Sequence, residues 1–246
     1  MQMQQIEIEP KYEYEGEELE LFAHAVNWKK YWFQKLQPLI GRSVLEVGAG
    51  IGSTAKLFAN SEIDRWLAIE PDINLVDYIK EDYKKSKYPS NYEIHNMTSS
   101  SMSSNEKYDT ILYIDVLEHI QDDQSEINNI IKLLTPEGKI IILSPAHDYL
   151  YTPFDKAVGH FRRYDKNKLL RIMPKNMQLK TIYYLDCVGM LASLGNRLLL
   201  KSAHPTVAQI QFWDKCLVPI SRVIDKLICH SLGKSIIAVF QYKNAS

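Results

Sequence analysis

The stretch VLEVGAGIG, residues 44–52, decides the fold. Its first four residues have the short apolar pattern of a β-strand, and the segment that follows at 53–60 has helical character. Glycines between a strand and a helix let the backbone turn tightly and approach a ligand, and the first turn of the helix offers unpaired N–H groups. The stretch therefore predicts a ligand-binding turn between a strand and a helix.

The positions of the glycines and of the next acidic residue narrow the choice of ligand. A dinucleotide fingerprint G-x-G-x-x-G needs a glycine at position 53, where this chain has Ser53, and no Gly-Lys-Ser/Thr sequence follows as it does in a P-loop. The next apolar run ends at Glu70, and a carboxylate at the end of a strand can accept hydrogen bonds from both hydroxyls of a ribose. The turn and the carboxylate together predict a nucleoside-containing ligand.

Strand and helix patterns alternate along the rest of the chain. Strands are predicted at 43–47, 66–70, 92–96, 108–115, 139–144, 179–185 and 235–242, and helical segments at 17–38, 53–60, 73–86, 122–134, 165–173 and 189–230. Such an alternation predicts βαβ crossovers and a mostly parallel sheet.

Three motifs in sequence order resemble those of class I S-adenosylmethionine-dependent methyltransferases. They are E-x-G-x-G-x-G at 46–52 with the acidic residue after the second strand, YDTILYIDVLEHI at 108–120, and LLTPEGKIIILSP at 133–145. The resemblance implies an α/β fold with a Rossmann-like seven-stranded, mostly parallel sheet, helices on both faces, and an antiparallel last strand after a helical insertion. We expect a single domain over 1–246, with a helical lid at 1–40, a cofactor-binding core at 41–145 and a substrate-side part at 146–246.

The resemblance also implies S-adenosylmethionine as the cofactor. Its methionine end would lie at the glycine turn, its ribose at the carboxylate after the second strand, and its adenine near the end of the third strand. The residues expected around the cofactor are Glu46, Gly48, Ala49, Gly50, Gly52, Glu70, Pro71, Met97, Thr98, Asp115 and Val116.

The segment after the fourth strand carries candidate catalytic residues. His119 could be a general base, since an unperturbed imidazole titrates near pH ~6.5. Asp115, Glu118 and His119 stand at i, i+3 and i+4, so they could instead converge on a divalent cation or merely brace the turn. All three interpretations stay open, and no metal is assigned.

A second segment, GHFRRY at 159–164, resembles one found in methyltransferases of polysaccharide, glycolipid and natural-product pathways. We expect His160 and Tyr164 to be catalytic, and Tyr151, Arg162 and Arg163 to bind the acceptor. Guanidinium groups pair with carboxylates or phosphates, and residues 156–180 carry eight Lys or Arg against one Asp, which favours an anionic or sugar-bearing acceptor. Alternatively, the arginines fasten the loop to acidic residues of the N-terminal helix.

Composition excludes several classes of partner. The formal net charge of −1 and pI of about 6.7 argue against nucleic-acid binding. Three cysteines without a CxxC pair predict neither a disulfide framework nor a cysteine zinc site. Without a signal peptide or an apolar run of about 18 residues, we expect a cytoplasmic protein with no transmembrane segment. Peripheral membrane contact through 189–230 stays open, as does the choice between monomer and homodimer.

The function predicted from sequence is methyl transfer from S-adenosylmethionine to a small-molecule or glycoconjugate acceptor. Two alternatives are an NAD(P)-dependent oxidoreductase and a non-catalytic module that binds S-adenosylmethionine. Ser53 argues against the oxidoreductase because it stands where the dinucleotide fingerprint needs a glycine.

Overall fold

The computed structural model describes residues 18–103, 105–195 and 205–243. The first 17 residues of the predicted lid and residues 196–204 of the predicted helical region at 189–230 lie outside these ranges. Within them a seven-stranded sheet has the order β3-β2-β1-β4-β5-β7-β6. The strands are β1 (Ser43–Val47), β2 (Arg65–Glu70), β3 (Tyr92–Asn96), β4 (Tyr108–Ile114), β5 (Leu134–Pro145), β6 (Met177–Leu185) and β7 (Ser235–Tyr242).

Strand directions confirm the predicted mostly parallel sheet with an antiparallel last strand. β1 to β5 pair in parallel, whereas β7 runs antiparallel to both of its neighbours, β5 and β6. The fifth strand begins five residues before its predicted start at 139, because Leu134 already pairs with Tyr108 ahead of an irregularity in the register. The residues Thr, Pro, Glu and Gly at 135–138 interrupt the apolar pattern, so the first part of the strand is not evident from the sequence.

Helices connect the strands. They are α1 (Glu18–Ala23), α2 (Val26–Leu36), α3 (Ser53–Leu57), α4 (Ile73–Tyr83), α5 (Asp123–Ile130), α6 (Pro153–Ala157), α7 (Lys166–Ile172), α8 (Cys187–Gly195), α9 (Val207–Phe212) and α10 (Val218–Leu227), with a π-helical turn at Trp213–Leu217. Aspartates start three of them: the carboxylates of Asp72, Asp122 and Asp165 accept backbone N–H groups at the first turns of α4, α5 and α7.

Apolar side chains cover both faces of the sheet. Along β5, Ile141 belongs to the cluster on one face, while Ile140 and Ile142 belong to the cluster on the other. All three are fully buried, as expected for a central strand with helices on both sides. This double burial explains why the sequence of β5 is almost continuously apolar.

Buried carboxylates fasten α2 and the helical insertion α8–α10 to the sheet. Asp225 accepts hydrogen bonds from the Tyr31 hydroxyl at 2.8 Å and from the backbone N–H of Asp186 at 2.7 Å. Asp186 in turn accepts from the Trp213 indole N–H at 2.7 Å. In the described ranges, no helix combines the length and the apolar character needed to cross a membrane.

We expect Tyr31→Phe to lower the free energy of unfolding by about 1–3 kcal/mol, because it removes a donor from a buried carboxylate. Urea unfolding of the variant and the wild type measures this difference. Tyr78→Phe, at an exposed position on α4, is the matched control and should unfold like the wild type. Equal stability of Tyr31→Phe and wild type would show that this hydrogen bond does not hold α2.

Candidate functional site

The turn after β1 has a backbone that only glycine adopts easily. Gly48, Gly50 and Gly52 have φ values of +70°, +56° and +72°. A Cβ at Gly48 would lie 2.7 Å from a methyl carbon of Val116, and one at Gly52 would lie 2.7 Å from the Tyr88 hydroxyl. The glycines are therefore required both by conformation and by space.

The carboxylate of Glu70 lies against this turn. One of its oxygens accepts the backbone N–H of Gly50 at 2.9 Å, and the other accepts that of Asp72 at 3.1 Å. Burial raises the pKa of Glu70, while these two N–H groups oppose the rise. Such a carboxylate has further lone pairs for ligand hydroxyls at the mouth of the turn.

Glu46 occupies a more interior position than Glu70. Its carboxylate accepts the Trp66 indole N–H at 2.8 Å and also hydrogen-bonds Thr54 at the start of α3. Burial raises the pKa of Glu46 to about 7, although both hydrogen bonds work in the opposite direction. Glu46 thus joins β1, β2 and α3 beneath the glycine turn.

The remaining residues predicted to bind the cofactor also lie at the C-terminal edge of the sheet. The backbone N–H of Ala49 donates to Ile69, and that of Met97 donates to the carbonyl of Glu70. The Pro71 carbonyl accepts from the Asn96 side chain at 2.8 Å, and the Thr98 and Ser100 hydroxyls are 2.7 Å apart. The structure therefore gathers the predicted cofactor residues at the C-terminal ends of β1 to β4; their contacts with the cofactor stay predictions.

Two residues that the sequence did not single out also reach this edge. Asn96 is the last residue of β3 and also donates to the carbonyl of Glu70 at 3.0 Å. Leu19 of α1 lies 3.4 Å from the position of a Cβ at Gly50, so α1 covers the turn. Asn96 could have been found from its place at a strand end, whereas the position of Leu19 depends on the path of the chain between α1 and β1.

Beyond β4, a cluster of titratable side chains adjoins the turn. Glu118 is fully buried; one of its oxygens accepts the Ser144 hydroxyl at 2.8 Å, and the other has no hydrogen-bond partner among the described residues. Burial and the nearby Asp115 raise the pKa of Glu118 well above its usual value. Burial also lowers the pKa of His119 to about 4, and His160 adds to this effect.

Asp115 is the most exposed member of this cluster. It follows β4 with φ of +54°, and its backbone N–H donates to the Leu143 carbonyl at 2.8 Å. The surrounding protein nevertheless raises the pKa of its carboxyl to about 6, against the opposing charges of His160 and Lys234. We refer to the surroundings of Asp115, His119 and His160 at this edge of the sheet as the recess.

His160 is oriented by a buried ion pair. Its ring lies edge-on to that of His119, with centroids 4.6 Å apart, and its Nδ1 lies 3.0 Å from an oxygen of Asp155. Arg163 donates to both oxygens of that carboxylate at 2.8 and 2.9 Å. Burial alone would raise the pKa of Asp155, but the hydrogen bonds from His160 and Arg163 hold it well below its usual value. Because a carboxylate only accepts, Nδ1 carries the hydrogen and Nε2 is the nitrogen left for other chemistry.

The same cluster could hold a divalent cation. Glu118, His119 and His160 each offer one donor atom, and these atoms lie within 4.8 Å of one another. Two imidazoles and a carboxylate suit Zn²⁺ and similar ions, and Asp155 would orient His160 as an outer partner. This set shares two residues with the set predicted from sequence and replaces Asp115 by His160.

Arg162 and Arg163, expected to bind the acceptor, are hydrogen-bonded within the protein. Arg162 donates to the carbonyls of Ile120 and Gln121 at 2.9 and 2.7 Å and forms a 2.7 Å ion pair with Asp123. The partners of the two arginines are thus Asp123 and Asp155. These contacts fasten the loop at 146–165 to the turn after β4, and acceptor binding by the arginines stays a prediction.

The two predicted tyrosines are engaged in the same loop. Tyr164 is fully buried, and its hydroxyl donates to Asp123 at 2.7 Å and lies 3.2 Å from the Leu117 carbonyl. The hydroxyl of Tyr151 donates to the His160 carbonyl at 2.6 Å. Both contacts support positioning of the loop, and the predicted roles in catalysis and acceptor binding stay untested.

Comparison with known proteins identifies a methyltransferase domain in this chain. The sequence profile of the methyltransferase domain family matches residues 22–187. The chain is 31% identical over 124 residues to phosphoethanolamine N-methyltransferase 1 of Triticum aestivum, a match that covers 50% of this chain and 24% of that protein. The chain spans about a quarter of the length of the curated relatives it matches.

Solved structures share the fold at low identity. Coclaurine N-methyltransferase bound to N-methylheliamine and SAH has a TM-score of 0.57 at 14% identity, covering 88% of this chain and 72% of that one. The 4+2 cyclase SpnF has a TM-score of 0.59 at 14% identity, covering 89% and 81%. The likeness of these two enzymes to this chain concerns the fold, which is compatible with more than one reaction.

We expect His119 to lower stability in acid. Its pKa is about 4 in the folded protein, whereas a histidine in an unfolded chain titrates near pH ~6.5. Between these values the unfolded state binds more protons, so the contribution of His119 to the free energy of unfolding decreases as the pH falls from about 6.5 to about 4. In urea unfolding, the wild type should lose more stability over this range than His119→Gln.

The exposed His95 at the end of β3 provides the matched control for this measurement. His95→Gln should follow the wild type at each pH. Parallel pH dependences for His119→Gln and the wild type would contradict an uncharged, half-buried His119.

Proposed function

Because this chain belongs to the S-adenosylmethionine-dependent methyltransferases of the class I fold, we propose that it methylates a nitrogen or oxygen of a small polar molecule, with His160 as the base. The observation that carries the proposal is the juxtaposition of His160, held by Asp155, with His119 and the accessible Asp115 beside the glycine turn. The family match and Ser53 together remove the oxidoreductase alternative.

The cofactor supplies the reactive methyl group, so the protein mainly has to bind and align. In the proposal, Glu70 binds the ribose hydroxyls, and the turn at Gly48, Gly50 and Gly52 receives the methionine end. Support comes from the approach of the Glu70 carboxylate to the Gly50 N–H and from the positive φ values of the three glycines, which turn the backbone tightly after β1.

The proposed step is a displacement at the methyl carbon. A lone pair of the acceptor nitrogen or oxygen forms the new bond to carbon while the carbon–sulfur bond breaks, and its electron pair stays on sulfur. The proton of the acceptor passes to Nε2 of His160, and the Asp155 carboxylate stabilises the resulting imidazolium. Arg163 holds Asp155 in place and therefore acts as a positioning residue.

An amine is the acceptor that these charges favour. The accessible carboxyl of Asp115 adjoins His160, while Arg162 and Arg163 are paired with internal carboxylates, so the charged group that the recess offers to an acceptor is a carboxyl. The names of two relatives, phosphoethanolamine and coclaurine N-methyltransferase, also favour nitrogen. A sugar-bearing amine would satisfy the same chemistry, whereas the arginines give less support to an anionic acceptor than their sequence suggested.

A second candidate is a protein that binds S-adenosylmethionine without transferring its methyl group. The fold shared with the cyclase SpnF gives this alternative its basis. Mass spectrometry of a cell extract incubated with the protein and methyl-labelled S-adenosylmethionine separates the two. Appearance of a labelled product supports methyl transfer, and bound cofactor without any labelled product supports the alternative.

We predict that Glu70→Ala weakens the binding of S-adenosylmethionine by about 2–3 kcal/mol, roughly 30- to 150-fold in Kd, because it removes charged hydrogen bonds to the ribose. Isothermal titration calorimetry measures the affinity. Glu62→Ala, at an exposed position, is the control and should bind like the wild type. An unchanged Kd for Glu70→Ala would place the ribose elsewhere.

We predict that His160→Ala lowers kcat by roughly 10²- to 10⁴-fold while Kd for S-adenosylmethionine is retained. Imidazole added to the buffer should restore part of the rate, because it supplies the missing base. His95→Ala is the control and should keep the wild-type kcat. A normal rate for His160→Ala would eliminate His160 as the base.

Removal of metal also tests the assignment of His160 as the base. With His160 acting as a base, treatment with EDTA should leave kcat unchanged. If EDTA abolished activity and Zn²⁺ restored it, Glu118, His119 and His160 would be metal ligands, and the proposed proton transfer would be wrong.

A further inference from the structure

The outer side of α9 and α10 exposes apolar side chains at helical spacing. Phe212, Ile220, Val223 and Leu227 are 60%, 50%, 60% and 77% exposed. Ile220, Val223 and Leu227 stand at i, i+3 and i+7, which places them along one side of α10, and Phe212 ends α9, one π-helical turn before it. We call these four residues the outer apolar strip.

The strip is distinct from the side of α10 that packs on the domain. Val218, Ser221 and Asp225 are fully buried, and Asp225 accepts hydrogen bonds from Tyr31 and from the N–H of Asp186. These contacts fix the rotation of α10 about its axis. A surface helix normally turns polar residues outward, so an apolar outer side requires an explanation.

Cations border the strip. On α9, the turn at 213–217 and α10, the charged side chains that solvent reaches are all basic; they are Lys215, Arg222 and Lys226. The acidic residues of these segments, Asp214 and Asp225, are buried and hydrogen-bonded. Arg222 donates to the side chain of Gln34 at 2.8 Å and so joins α10 to α2. We call Lys215, Arg222 and Lys226 the cationic border.

An apolar strip with a cationic border complements a lipid surface that carries negative headgroups. Apolar side chains enter the boundary between headgroups and acyl chains, while lysines attract the anionic lipids. A second copy of this chain fits less well, because an isologous contact would bring two cationic borders together. We propose that α9 and α10 dock the protein on an anionic membrane surface.

A chain of aromatic contacts connects the outer apolar strip to the proposed active site. Trp213, next to the strip, packs on Phe22 with ring centroids 6.2 Å apart, and Phe22 lies 6.4 Å from Phe154. Phe154 belongs to α6, which also carries the Asp155 that orients His160. Docking would therefore bring the acceptor side of the domain near the membrane. The membrane contact itself does not depend on the proposed reaction.

Vesicle flotation with the full chain tests the proposal. The vesicles are phosphatidylcholine alone or phosphatidylcholine mixed with phosphatidylglycerol. We expect binding to the mixed vesicles only, and weaker binding as NaCl is raised from about 0.1 to about 0.5 M. Lys226→Glu should reduce the partition coefficient at least about fivefold, and Leu227→Asp should reduce it further because it puts a charge into the strip.

Control variants on α4 separate these effects from a general change in charge or hydrophobicity. Lys80→Glu and Tyr78→Asp alter exposed residues in the same way and should bind vesicles like the wild type. Circular dichroism and the Kd for S-adenosylmethionine verify that every variant is folded.

Failure of the wild type to float with mixed vesicles would overturn the proposal, as would equal binding by Leu227→Asp and Tyr78→Asp. A wild-type dimer that Leu227→Asp converts to a monomer, without vesicle binding by either, would assign the strip to self-association and likewise overturn it. Loss of methyl transfer in a variant that still binds vesicles would bear on the proposed function alone.

Discussion

The glycine turn after β1 is the constraint on which the site depends. Its positive φ values admit glycine, and side chains from elsewhere fill the space that a Cβ would need. Val116 after β4 packs on Gly48, and Glu70 at the end of β2 accepts the N–H of Gly50. One turn therefore fixes the relative positions of the ends of three strands, which is where an open α/β sheet binds its ligands.

Buried charges build the other half of the site. Asp155 lies inside the loop that follows β5, where Arg163 neutralises it and where it in turn orients His160. Taking such charges out of water is costly, and the geometry is stable only because each partner is satisfied. The arginines are therefore part of the framework of the loop, and the accessible charge in the recess is the carboxyl of Asp115. The pairing of both arginines and the accessible carboxyl of Asp115 are the reasons for favouring an amine acceptor.

The fold was predictable from sequence because strand and helix periodicity are local properties. All seven predicted strands are present, and the residues predicted to bind the cofactor lie at the C-terminal ends of four of them. The pairs that define the recess were not predictable, because the type of a residue does not disclose its partner. From the sequence, Arg162 is a candidate residue for binding an anion, but in the structure it forms an ion pair with Asp123 at 2.7 Å. Similarly, the apolar character of α10 is evident in the sequence, but its exposed side depends on the contacts of Asp225 with Tyr31 and the N–H of Asp186.

The central claim is that the glycine turn, Glu70 and the His160 cluster form one site for S-adenosylmethionine and its acceptor. A crystal structure of the protein with S-adenosylhomocysteine tests it most directly. The claim predicts both ribose hydroxyls on the carboxylate of Glu70, the homocysteine end at Gly48 to Gly52, and the sulfur directed toward the recess that contains Asp115 and Nε2 of His160. A ribose bound away from Glu70, or a sulfur directed away from His160, would contradict it.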